Sequence, residues 1–580
     1  MARIVRIGVE FFERIIENDY FYVDKTLFIK EFLEKRGDVT LITRPRRFGK
    51  TLNMHMMKEF FDITKDTKAM FSGLKITKHQ DIINKHQNQY PVIYITLKNV
   101  ESKTYPDAVN NIKRLMSELY RDNNYLLKSK KLDKNQKASF NSYIMTTSTE
   151  DELKNSLQFL TKCFFTHHQK KTVVLIDEYD TPLNNSVFEN YYPDMIKFMR
   201  GFLGDVFKGN VFLEFGLLTG VQRIAKESLM SSFNNPMVNG IMDKDFPTCF
   251  GFTEDEVKAA CEEFDVSCDF EEVKNWYNGY RFGDNDMYNP WSITGFLHAK
   301  EIKNFWVNTG GTQLMENMIQ HGSMLLRNSL AGLLTGTPIQ MKYNSNIIYP
   351  IDYKNINAFW SIMLNTGYLK PCAGATGREF LAELVNNEVH DMFEECISRW
   401  FDEPNMYSVY ESIREFVDCL FNGDAEGVSR LLNEELLNYP SFHDYKEENS
   451  YHMFIFGMLL AASSRKFLHK QYYNVYSNRE SGKGRSDCLI KPVDKNNYAV
   501  IIEFKHLKNS PLPPSERGAA SPPSLRGAGG SHLQNIAEEG LKQIEEMSYI
   551  HTLKQEGYEK VYKFSIAFYK KTCAVAFSTD

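Results

Sequence analysis

The stretch Val39-Thr-Leu-Ile-Thr-Arg-Pro-Arg-Arg-Phe-Gly-Lys-Thr51 decides the fold. A β-branched apolar run reads as a buried strand, Pro45 and Gly49 mark a turn, and Leu52 to Phe61 continues as a helix-forming segment. Strand, tight loop and helix in that order is the context a phosphate-binding loop requires. Gly49, Lys50 and Thr51 end the loop as the G-x-x-x-x-G-K-[ST] pattern does. Lys50 is expected at the β/γ-phosphates, the Thr51 hydroxyl at Mg²⁺, and Arg47 and Gly49 in the cradle. The first glycine of the pattern is Arg44, and the following Pro45 has no N–H to donate. The loop loses freedom and one donor and gains three cationic side chains.

Working outward, Pro91 to Leu97, Thr172 to Ile176 and Val211 to Leu218 read as further buried strands, separated by helical segments. The polar stretch Ser102 to Cys163 reads as a helical insertion between two of them. Thr172-Val-Val-Leu-Ile-Asp-Glu178 ends in two carboxylates, as a Walker B strand does. Asp177 is expected to hold Mg²⁺, directly or through water, and Glu178 to orient or deprotonate an attacking water. At the end of the next strand, Thr219 is a candidate γ-phosphate sensor and Arg223 a candidate neutraliser of transferred charge. Upstream, Asp24 and Lys25 fit either an approach to the nucleotide or a surface ion pair.

The whole chain has 580 residues, 42% hydrophobic and 25% charged. That composition excludes bulk disorder, collagen and coiled coil, and the length suggests about three to five folding units. A net charge of −5 rules out a whole-surface field for nucleic acid or anionic membrane, though not a local basic groove. Nine cysteines without a Cys-x-x-Cys pair fit reduced, buried thiols. The longest apolar run, Met453 to Ala462, is about half a membrane span, and no signal peptide is evident at the start. The expected compartment is the cytoplasm. Between 241 and 440 strand signals are sparse and aromatics frequent, which predicts a mostly helical region with an aromatic core.

The last 140 or so residues change character again. A helix near Ser450 to Ser463, strands at Cys488 to Ile490 and Tyr498 to Phe504, a helix from Leu533 to Tyr549 and a strand from Val561 to Phe568 are expected. Alternation along a strand sends Glu503 and Lys505 to one side. A hairpin turn centred at Lys495 sets Asp487 directly opposite Glu503. Two carboxylates so placed repel unless a hard cation such as Mg²⁺ or Mn²⁺ lies between them. Lys505 beside them is placed to position a water or stabilise charge on a phosphate. From Arg465 to Lys508 ten Lys/Arg stand against four Asp/Glu, and Tyr472, Tyr473 and Tyr476 are candidates for base stacking. Gly482-Lys-Gly-Arg485 reads as a flexible basic loop, Gln543 as a polar neighbour of the site, and Glu448 as a further acidic ligand. His452 on the same helix reads as a core histidine. A solvated Glu/Lys pair on an amphipathic hairpin is the plain alternative. Pro513-Pro-Ser-Glu-Arg-Gly-Ala519 recurs as Pro522-Pro-Ser-Leu-Arg-Gly-Ala528, inside a run from Asn509 to Ser531 too poor in apolar residues to form a core.

Taken together, these motifs resemble a family of bacterial proteins with an N-terminal AAA-ATPase-like domain and a C-terminal PD-(D/E)XK nuclease-like domain. The resemblance also rests on Tyr22-Val-Asp-Lys-Thr26, Trp276-Tyr-Asn-Gly-Tyr280, Tyr288-Asn-Pro-Trp-Ser292, Asn308-Thr-Gly310, Leu364-Asn-Thr-Gly-Tyr-Leu369 and Asn478 to Arg485. It implies a multidomain α/β protein: a P-loop NTPase-type domain over 1–240, a helical region over 241–440 and a restriction-endonuclease-like domain over 441–580. It also implies ATP and Mg²⁺ as cofactors (Mn²⁺ being an alternative at the nuclease-like site), and nucleic acid, DNA before RNA, as partner. The expected function is ATP binding and hydrolysis coupled to metal-dependent phosphodiester cleavage of nucleic acid, with Glu178, Arg223, Asp487, Glu503 and Lys505 as its chemistry. The rival readings are a non-catalytic nucleotide-dependent switch or scaffold, and a decayed mobile-element copy, which the insertion after Lys505 favours.

Overall fold

Burial on both faces explains the uninterrupted apolar runs. Strands β1 (Val39–Thr43) and β3 (Thr172–Asp177) are buried at every position. In this computed structural model they join β2 (Val92–Thr96), β4 (Leu213–Gly220) and β5 (Met237–Asn239) in a parallel sheet of order β2-β3-β4-β1-β5. The structure describes residues 3–224, 236–306, 338–345, 355–375, 377–398, 407–438, 473–481, 484–507, 528–546, 549–569 and 572–579. Single positions between 326 and 336 and between 451 and 459 are also described.

The strand order decides where the site lies. β4 separates β1 from β3, and the pairs Ile42↔Thr219 and Ile176↔Leu218 bring the carboxyl ends of all three strands level. Ligands of open parallel sheets bind outside those ends. The helix Lys50–Phe61 follows β1 directly. Between β2 and β3 the expected helical insertion forms Tyr105–Asp122, Lys134–Ile144 and Glu150–His168. Its last two helices start with capping boxes, Asp133 with Gln136 and Thr149 with Glu152, each cap contributing about 1 kcal/mol.

The stretch expected to be helical is more mixed. Helices Glu254–Glu263, Phe270–Tyr277, Pro290–Ala299 and Ile356–Thr366 alternate with short strands. These strands are the hairpin β6 (Tyr280–Phe282) and β7 (Asn285–Met287), and a sheet of order β8-β10-β9 (Ile339–Lys342, Glu379–Leu384, Leu369–Pro371). Four of these strands have three or four residues, too brief to show a period, and only β10 reaches six. Tyr277, Tyr280, Tyr288 and Trp360 are core residues. The chain forms two compact units, one of residues 1–310 with 340–389 and the other of 311–339 with 390–580. Residues 241–440 therefore fall partly in each unit.

In the second unit, β11 (Tyr473–Ser481), β12 (Gly484–Pro492), β13 (Ala499–His506), β14 (Val561–Tyr569) and β15 (Thr572–Thr579) form a sheet in sequence order. Only β13 and β14 run parallel, and the helix Ala528–Glu546 lies in the connection between them. One face, with Ile490, Val500, Ile502 and Phe504, packs into the core that holds Leu420, Leu431 and Leu432. The other, with Leu489 and Ile501, packs on Ile544 and Leu553. β11 and β15 had no separate sequence signal. The helix expected at Ser450 to Ser463 lies almost wholly outside the described residues, as does the repeat-bearing run from Asn509 to Ser531.

Candidate functional site

Around the loop after β1, the local backbone is unusual at two functional positions. Arg47 and Glu178 adopt left-handed φ of 68° and 54°, a conformation that costs a non-glycine residue about 1–3 kcal/mol and clusters at functional sites. Lys50 is almost fully buried, and its Nζ donates to the carbonyls of Arg44 at 3.1 Å and Pro45 at 2.9 Å. Its Nζ also stands 3.9 Å from Glu178 Oε1. The Thr51 hydroxyl donates to Asp177 Oδ2 at 2.7 Å, and the Thr219 hydroxyl to Asp177 Oδ1 at 2.5 Å. Burial, and the charge of Glu178 next, push the Asp177 carboxyl up, while those hydroxyls pull it down.

Arg44, where the pattern has glycine, does not add charge to the cradle. It is fully buried and turned toward β5, donating to the carbonyls of Asn239, Gly240, Asp245 and Phe246 and to the Asn239 side chain. Desolvation lowers it to about 10. A glycine there would leave those buried carbonyls without these donors, at about 1–3 kcal/mol each.

A cavity of about 350 Å³ opens at this loop, lined by Arg47, Gly49, Lys50, Thr51 and Glu178. Asp177 and Thr219 are buried, joined to the cavity through Thr51. Arg223 is not part of the lining; it lies in the electrostatic surroundings of Tyr343. Lys25 does line the cavity, where it pairs with Glu256 at 2.7 Å. Asp24 instead accepts from the backbone N–H groups of Thr26 and Lys75, so the two do not form the surface pair considered above. Sequence reasoning missed the cavity's other walls, Tyr20 and Tyr22 before β1 and Trp291 far beyond it. Only the helix start before Trp291 was legible: Asn289 followed by Pro290 marks it, and Asn289 Oδ1 accepts the N–H of Trp291 at 2.9 Å.

Asp180, behind the same strand end, accepts the N–H groups of Val221 at 3.1 Å and Gln222 at 2.8 Å. Burial, and then the charge of Glu178, raise it from an ordinary 3.8 to about 6. The folded chain therefore holds this proton more tightly than the unfolded chain does. Its contribution to stability is complete below about pH 4 and is lost as pH rises through about 6. Asp180→Asn, which keeps an acceptor for both N–H groups, should gain melting temperature relative to the wild type between pH 4 and 7. A difference in melting temperature that stays flat over that range would contradict the assignment.

In the second unit, the register of β12 with β13 runs through Ile490↔Val500 and Leu489↔Ile501 and ends at Cys488↔Ile502, the residues next to Asp487 and Glu503. Asp487 Oδ2 accepts the N–H of Phe504 at 2.8 Å. Burial pushes the Asp487 carboxyl up, against that hydrogen bond and the Lys505 charge. Glu503 is 2% exposed, with Lys505 Nζ at 3.1 Å and Gln543 Nε2 at 2.5 Å from its Oε1. Lys505 also donates to Gln543 Oε1 at 2.6 Å. Gly540 lets the helix approach this closely, since a Cβ there would collide with Ser565 Oγ. Among the described residues no group of three or more His, Cys, Asp or Glu converges. Glu448, His452, Tyr472, Gly482 and Lys483 lie outside the described residues. Tyr473 cannot stack on a base, because it is 2% exposed and part of the core. Tyr476 is half-buried, with Lys491 Nζ 5.4 Å from its ring, and Lys491 is paired with Glu556.

Residues 6–230 match the family described as predicted AAA-ATPase, and residues 446–578 match the PD-(D/E)XK nuclease superfamily. The two matches agree with the two-part resemblance drawn from the sequence motifs. It is also similar to the protein described as "Uncharacterized protein in vnfD 5'region" of Azotobacter chroococcum mcd 1. The two are 24% identical over 521 residues, covering 87% of this chain and 90% of that one. Among the described residues no helix is long and apolar enough to cross a membrane.

Proposed function

We propose that the chain is a metal-dependent phosphodiesterase acting on nucleic acid under the control of a bound nucleoside triphosphate, ATP first. The observation that carries this reading is the placement of Asp487 on β12 and of Glu503 and Lys505 on β13, with Asp487 bonded to the N–H of Phe504 and Gln543 bonded to both Glu503 and Lys505.

The donor sets fit the implied groups. At the N-terminal site Thr51 and Asp177 supply hard oxygens for Mg²⁺, and Lys50 supplies charge for phosphate. Lys50 would exchange two loop carbonyls for phosphate oxygens, and Glu178 would orient a water. Asp487 and Glu503 would hold a divalent cation, Mg²⁺ or Mn²⁺. A bound cation there lowers the pKa of water and offsets charge on the phosphate. Lys505 stabilises negative charge developing on the phosphate oxygens, and Gln543 keeps it on the side of Glu503. Since Arg223 is not in the cavity lining, this reading gives it no catalytic part.

Cleavage of nucleic acid should stop on chelation with EDTA and return with Mg²⁺ or Mn²⁺. Cutting that persists in EDTA would remove the metal-dependent reading. The burial of Glu503 favours one rival, a domain that grips nucleic acid without cutting it. A binder of that kind has no turnover for EDTA to remove.

A further inference from the structure

Arg47 carries its guanidinium carbon 3.9 Å from the centroid of the Trp291 ring. Other contacts fix that ring. The indole N–H donates to the carbonyl of Phe305 at 3.0 Å. Gly8, at φ 79°, lies beside it, a Cβ there standing in ordinary van der Waals contact with the ring at 3.5 Å. Asn289 caps the helix that carries it. Arg47, in turn, sits in a left-handed conformation that a surrounding structure must hold in place.

Both residues line the cavity that holds Gly49, Lys50 and Thr51. Six Lys or Arg side chains line it against three glutamates, so an anion is the ligand it favours. Trp291 lies well beyond residue 230, where the ATPase-like match ends. The cavity is therefore completed by a helix from outside that match. A guanidinium stacked through its face keeps its N–H donors in its own plane, so stacking and phosphate bonding are compatible.

We propose that Trp291 is a positioning residue that holds Arg47 as a second cationic ligand, beside Lys50, for the terminal phosphates of a nucleoside triphosphate. This rests on reading the cavity as the nucleotide site. It makes the helix Pro290–Ala299 part of nucleotide recognition and gives the triphosphate an advantage over the diphosphate.

The test is calorimetric titration of the full chain with ATP and ADP. The variants are Lys50→Ala, Arg47→Ala, Trp291→Ala, Trp291→Phe and the Arg47→Ala/Trp291→Ala double. Trp291→Ala should weaken ATP binding about fivefold to tenfold and ADP binding less. The double variant should be no weaker than Arg47→Ala alone, because the two act as one unit. Trp291→Phe, which keeps a ring, should recover most of the affinity. Should Trp291→Ala fail to fold, Arg47→Ala and Trp291→Phe read the same pair through milder changes. Wild-type ATP affinity in Trp291→Ala, or additive losses in the double variant, would overturn the proposal while Lys50→Ala still loses ATP. A wild-type chain that binds no ATP would overturn the nucleotide reading itself, and this inference with it.

Discussion

Lys50→Ala lowers ATP affinity by about 100-fold and leaves the melting of the second unit unchanged. The size follows from the bonds at stake. A hydrogen bond between charged groups contributes about 1.5–3 kcal/mol, and each 1.4 kcal/mol is about tenfold in affinity. Lys50 is buried at the base of the cavity, with Nζ on two loop carbonyls and close to Glu178. Alanine removes the charge and leaves those carbonyls without that donor, so a small loss of stability in the first unit is also expected. Calorimetric titration measures the affinity, and melting followed in the same samples separates binding from folding. ATP affinity within about threefold of wild type, in a variant that melts normally, would remove Lys50 from the site.

The second large effect is on cleavage. Glu503→Gln should lower the rate by about 10³-fold, the scale seen when one charge-stabilising group is lost from a preorganised site. The substitution is nearly isosteric, so packing against Gln543 and Lys505 can persist while the carboxylate charge is gone. Nucleic-acid affinity should change little, because the ligand's phosphates are met by cations rather than by Glu503. An unchanged single-turnover rate would contradict the reading of Glu503 as a metal ligand. A parallel loss of affinity and rate would point to a binding surface instead.

How much of this was legible depends on whether the relevant partners are near in sequence. β1 and β3 were readable because strands buried on both faces are continuous apolar runs, whereas β2, at the sheet edge, alternates in burial and was readable from its β-branched composition. The pairing of β12 with β13 about a turn at Lys495 was readable because a hairpin register follows from its turn centre. The burial of Tyr473 was not readable, because alternation alone does not say which face of β11 meets the core. Nor was Arg44: its partners are backbone carbonyls about 200 residues away, and carbonyls leave no mark in a sequence. Arg223 looked catalytic from its place after β4, yet it is not among the residues that line the cavity. Trp291 was hidden for the converse reason, since an aromatic in a helical stretch reads as core until the fold brings it to Arg47.

The measurement that bears most directly on the account is cleavage of end-labelled single- and double-stranded DNA and RNA in Mg²⁺ or Mn²⁺, with and without ATP. Wild type, Lys50→Ala and Asp487→Ala would be compared side by side. The account predicts cutting by the wild type that changes with ATP, loses its ATP response in Lys50→Ala and disappears in Asp487→Ala. Well-folded wild type that cuts none of the four substrates, or cutting that survives Asp487→Ala, would contradict it.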